Sequence, residues 1–183
     1  TREILRMAFG QGVNFFDMCQ SYGELKTERL IGDLFRHERD RVVLAVKVGE
    51  TYPGTLVPLA RARYVLKPLR RLLAPVKTRL HKLMYSGMRF AFTPEHITKA
   101  VEDNLVALGT DYLDLVQVHA PPADVIERGE FIDVLQALRA QGKLRHFGVY
   151  CMSIDDALIA LKHREIASIQ VPFNLLNQQA AEV

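Results

Sequence analysis

Short apolar runs that alternate with amphipathic helical stretches, repeated along one chain, leave few folds open. "VNFF" (13–16), "RVVLAVKVG" (41–49), "YLDLVQVH" (112–119), "RHFGVY" (145–150) and "SIQVPF" (168–173) read as buried strands. Between them, "TERLIGDLFRH" (27–37) places Leu30, Ile31, Leu34 and Phe35 on one helical face. The stretch after Thr93 has an N-cap threonine, Pro94 at the first helical position and Gly109 just past the end, with Ile97, Val101, Leu105 and Leu108 as its stripe. "FIDVLQALRAQG" (131–142) and "SIDDALIALKH", which opens on a Ser153–Asp156 capping box, are the next helices. "NQQAAEV" and "TREILRMAFG" read as helical segments at the two ends. Strands that are apolar on both faces and separated by helices form parallel sheets in α/β proteins, because helices cover both sides of the connection.

Two parallel architectures compete. A doubly wound nucleotide-binding sheet calls for a glycine-rich turn directly after its first strand. That place reads "DMCQSYG", and the "GQG" at 10–12 precedes the strand. A (β/α)8 TIM barrel needs no such turn and gathers its chemistry at the C-terminal ends of successive strands. Such a barrel takes about 250 residues, whereas this chain has 183. The expectation is one barrel domain over 1–183, present as an incomplete barrel of about five strands and part of a longer chain, because five parallel strands leave two long edges open.

Hydrophobic content of 49% and charged content of 25% are those of a soluble globular protein. The net charge of +3 hides an asymmetry: residues 51–92 hold nine of the 24 basic residues and none of the 21 acidic ones, so the rest of the chain carries −6. This insertion has leucines at 66, 69, 72, 73, 80 and 83 among its Arg and Lys, and reads as basic amphipathic helix broken near Pro68 and Pro75. A lid over a pocket, a solvated decoration and a membrane-surface helix all suit that composition. Nucleic acid is the poorest fit, since no stacking aromatics accompany the charges. Cys19 and Cys151 give neither a disulfide framework nor metal-ligand spacing, so no metal and a cytoplasmic, reducing setting are expected.

The polar residues fall at one end of the strands. Asp17 follows "VNFF", Tyr22 lies in the loop after it, Lys47 sits inside "LAVKVG" and His119 ends "LVQVH". Gln170 and Asn174 lie in and after the last strand. A lysine among Ala45, Val46 and Val48 needs a carboxylate, and Asp17 on a neighbouring strand is the candidate. Taken singly, Asp17 also suits a turn, Tyr22 a loop anchor and His119 a strand end. Together they make a proton-donating carbonyl site: an ammonium favours the phenolate of a tyrosine whose free pKa is near 10, and a histidine polarises the same oxygen.

These residues resemble the aldo-keto reductase family. "GVNFFDMCQSYG" is similar to its signature G-x-N-x-F-D-T-A-x-x-Y-G, "LAVKVG" to its lysine strand, and "AVEDNLVALGTDYLDLVQVH" to its helix-to-histidine motif. "GKLRHFGV" and "IQVPFNLL" match the next two landmarks in order. The resemblance implies a (β/α)8 barrel that reduces small aldehydes and ketones with NADPH, less often NADH. It implies Tyr22 as general acid, Asp17 and Lys47 tuning it, His119 orienting the carbonyl and Gln170 holding the nicotinamide carboxamide. It also implies Asp17 among the residues that bind the cofactor. The family's Thr-Ala is here Met18-Cys19, and its carboxamide-binding Ser-Asn is here Tyr150-Cys151. That second departure leaves open a non-catalytic subunit that binds nicotinamide nucleotide, and the basic insertion leaves open an interaction scaffold.

Overall fold

The computed structural model describes residues 1–19, 25–51 and 89–181. The chain divides into two compact units, Thr1–Gly49 with Phe92–Val183, and Glu50–Ala91. In the second unit the described residues form a short antiparallel ladder, with Glu50 opposite Phe90 and Thr51 opposite Arg89. The helices expected within 51–92 fall on 52–88, outside the described residues.

The first unit is built on five strands: β1 (Phe15–Cys19), β2 (Val43–Val48), β3 (Leu113–His119), β4 (Leu144–Tyr150) and β5 (Ser168–Gln170). They pair side by side in chain order and all in parallel, as half of a parallel barrel does. The helices are α1 (Arg2–Gly10), α2 (Lys26–Phe35), α3 (Pro94–Leu108), α4 (Ala123–Arg128), α5 (Glu130–Ala140) and α6 (Ile154–Ala160). α3 begins and ends where its caps put it: the Thr93 side chain accepts from the His96 N–H, and Gly109 takes a left-handed φ of 65° that a side chain would strain. Ser153 caps α6 in the same way, accepting from the Asp156 N–H at 3.1 Å.

Alternation along the strands sorts the side chains into two layers. Phe16 and Met18 of β1, Leu44, Val46 and Val48 of β2, Val116 and Val118 of β3, and Phe147 and Val149 of β4 share one buried cluster with Ile31, Ile97, Val101, Phe131 and Leu135 of the helices. Two glycines allow close approaches, one between α2 and α3 and one between neighbouring strands. A Cβ on Gly32 would lie 2.2 Å from the Leu108 carbonyl oxygen, and one on Gly148 would lie 2.1 Å from that of Ser168.

At the N-terminal ends of the strands, charge locks the sheet. Asp114 accepts from the Leu44 N–H at 2.9 Å, from Arg39 at 2.7 Å and from Arg145 at 3.1 Å. Both guanidiniums lie over the Tyr112 ring, 3.9 and 4.3 Å from its centroid. This end is tied shut by structural pairs, which leaves the opposite end for chemistry.

Of the differences from the sequence reading, three bear on the site, while the helix expected in "NQQAAEV" is a single 3-10 turn over Gln179–Ala181. β1 begins two residues later and runs past Asp17 to Cys19, so the carboxylate lies inside the strand rather than at its end. The last strand stops at Gln170, before Pro172, which has no N–H for a ladder. After "APP" the chain forms the short helix α4, with Pro122 at its N-cap.

Candidate active site

The opposite face of the sheet, at its C-terminal end, carries the polar residues. Lys47 is only 6% exposed, and its Nζ donates to both carboxylate oxygens of Asp17 at 2.5 Å. The ammonium is buried, so the neighbouring strand supplies its counter-charge. Asp17 remains 31% exposed and can be approached from solvent. Its Oδ2 accepts a third hydrogen bond, from the Gln170 Nε2 at 3.3 Å, across the full width of the sheet's concave side. An N–H must face a carboxylate, so the other amide atom points elsewhere. Gln170 Oε1 is buried and has no hydrogen-bond partner among the described residues.

His119 and Tyr150 sit opposite one another on β3 and β4, and Tyr150 sits opposite Gln170 on β5. The His119 and Tyr150 rings meet edge to face, with centroids 5.1 Å apart. The Lys47 Nζ lies 5.9 Å from the Tyr150 centroid, within range of a cation–π attraction. Cys19, on β1 beside Lys47, places its Sγ 3.5 Å from the His119 Nδ1.

The fold therefore brings five of the seven expected residues together: Asp17, Lys47, His119, Tyr150 and Gln170. Cys151 joins them only through its backbone, whose N–H donates to the Gln170 carbonyl at 2.8 Å. Its side chain is fully buried in the apolar cluster, and that burial, with the Asp156 carboxylate adding to it, pushes the thiol up to about 11. It stays protonated and chemically quiet at neutral pH. Tyr22 lies outside the described residues. Asn174 closes a turn beyond β5, where its Oδ1 accepts from the Leu176 and Asn177 N–H groups. Sequence reasoning missed the Cys19–His119 contact. Its one signal was a cysteine standing where the resembled pattern has alanine.

The five-stranded parallel half-barrel is the part of this arrangement on which comparison with known proteins bears. The model of the Aldo/keto reductase family matches residues 1–183. The chain belongs to this family. Among curated relatives, the aldo-keto reductase YhdN of Bacillus subtilis is 28% identical over 183 residues, covering 98% of this chain and 45% of that protein. Among solved structures, the holo form of an aldo-keto reductase from Bacillus halodurans superposes with a TM-score of 0.77 at 23% identity, covering 99% of this chain and 51% of that one. An aldo/keto reductase from Klebsiella pneumoniae, solved with NADP and acetate, gives a TM-score of 0.66 at 22% identity, covering 96% of this chain and 49% of that one. The chain thus spans about half the length of the relatives it matches. No helix among the described residues is long and apolar enough to cross a membrane.

Proposed function

We propose that the whole protein reduces aldehydes or ketones to alcohols with NADPH, and that this chain supplies the proton-donating half of the site. The observation that carries the reading is the Lys47–Asp17 pair. A buried ammonium costs several kcal/mol to desolvate, and nothing in the packing of β2 requires a charge at that place. Its position at the strand ends, beside His119 and open to solvent through Asp17, gives the charge a chemical use.

The residues fit a nicotinamide. Gln170 Oε1 is a buried acceptor without a partner among the described residues, suited to the N–H of a carboxamide, and its amide is held in that orientation by Asp17. When bound, the nicotinamide supplies the hydride; the complex of the Klebsiella relative with NADP is in keeping with this choice. The remaining steps belong to the chain. The imidazole of His119 fixes the carbonyl oxygen by hydrogen bonding. Tyr22 donates its phenolic proton to that oxygen as the alcohol forms. The Lys47 ammonium favours the resulting phenolate, and Asp17 holds the ammonium in place. Tyr150 closes the site with a flat aromatic wall where the resembled pattern has serine.

Fluorescence titration of the whole protein with NADPH should saturate. Gln170→Ala should weaken the affinity about fivefold, as expected for one hydrogen bond. The absence of saturable binding of either nicotinamide nucleotide would contradict the proposal, and binding without turnover of any aldehyde would leave a non-catalytic nucleotide-binding subunit.

A further inference from the structure

Beside Asp17, Lys47 and His119, the site contains a thiol to which the proposed reaction assigns no task. Cys19 is 1% exposed, and its Sγ lies 3.5 Å from the His119 Nδ1, on the nitrogen turned toward β1. The ring is confined on another side by the edge-to-face Tyr150, at 5.1 Å and 73°. A neutral imidazole has one nitrogen that donates and one that accepts, and the partner of the first decides the state of the second. To orient a carbonyl oxygen, the nitrogen directed to the substrate must carry hydrogen.

We infer that Cys19 is a positioning residue: its thiol donates to the His119 Nδ1 and holds the imidazole as the neutral tautomer with its hydrogen on Nε2. A thiol is a weak donor, and Cys19 makes this contact from a buried position on β1. Alanine, the residue of the resembled pattern at this place, offers no hydrogen, so the device is a property of this chain. Its consequence for turnover rests on the reductase reading, whereas the tautomer itself does not.

The test is nitrogen NMR at pH 8 on the whole protein with 15N-labelled histidine rings, the His119 signals being identified by their loss in His119→Asn. Wild type should show a protonated Nε2 and an unprotonated Nδ1. Cys19→Ala should move the tautomer ratio about fivefold toward hydrogen on Nδ1, the worth of one ordinary hydrogen bond. Cys19→Ser, with a hydroxyl donor, should restore it. Should the alanine variant lose its fold, Cys19→Val keeps the space filled without a donor and takes its place. Under the reductase reading, kcat/KM for an aldehyde falls with the tautomer ratio while nucleotide affinity holds. A hydrogen on Nδ1 in the wild type, or a ratio unmoved by removing the thiol, would overturn the inference. A tautomer that responds as described in a protein without turnover would leave Cys19 in its role and count against the reductase reading alone.

Discussion

Asp17→Asn removes one charge and keeps the shape, and the structure sets what this should cost. The Lys47 ammonium would lose both 2.5 Å contacts to a carboxylate while staying 6% exposed between apolar neighbours. Breaking a fully buried pair from one side costs about 3–5 kcal/mol. Asp17 is 31% exposed, so water reaches part of the gap and the lower end applies, about 3 kcal/mol. Lys47→Met leaves the opposite orphan, a carboxylate that solvent and Gln170 still serve, and should cost less, about 1–2 kcal/mol. The double variant removes both charges and should lie within about 1 kcal/mol of wild type, since an apolar replacement of a buried pair is often neutral. Urea denaturation of the four proteins, read by circular dichroism, gives the cycle. A cost below about 1 kcal/mol for Asp17→Asn, or a double variant as unstable as the sum of the singles, would refute the reading of Lys47 as a buried cation that depends on Asp17.

Two further outcomes follow from packing and burial. Gly148→Ala would drive a Cβ to 2.1 Å from the Ser168 oxygen, a backbone atom fixed by the β4–β5 register, so it should cost at least about 1–3 kcal/mol in the same denaturation assay; wild-type stability would show that the two strands are not so closely apposed. Glu28 is fully buried in α2 with neither carboxylate oxygen partnered among the described residues, and burial raises its carboxyl above the ordinary 4.5. The folded state then favours the neutral form: its contribution is complete below pH 4.5 and is lost as pH rises through the raised value. Glu28→Gln should therefore match wild type at pH 4 and exceed it in stability at pH 8, and equal stability at both would contradict the assignment.

Much of this was legible in the residues because the signals were local. The caps of α3 and α6, the β-branched strands and the order of the units need only neighbours in sequence to be read. What failed needed a partner far away. The pairing of Asp17 with Lys47 was legible, but the extent of β1 was not: the strand continues past Asp17 to Cys19, which pairs with Lys47 in the β1–β2 register. The contact between Cys19 and His119 spans 100 residues and leaves no periodic trace. Cys151 was read as a site residue because it stands where the resembled pattern has its carboxamide-binding asparagine, and strand alternation turned its side chain into the core instead. The short α4 hid behind Pro121 and Pro122, which read as a turn although the second of them only starts a helix.

The proton-transfer claim is tested most directly by steady-state reduction of an aldehyde panel by the whole protein and its Tyr22→Phe variant, with NADPH affinity measured alongside. Phenylalanine keeps the ring and removes the hydrogen that is to be donated. Turnover should fall by at least about 10²–10⁴-fold, the usual contribution of a general acid, while nucleotide affinity stays near that of wild type. Equal turnover in the two proteins would contradict the account.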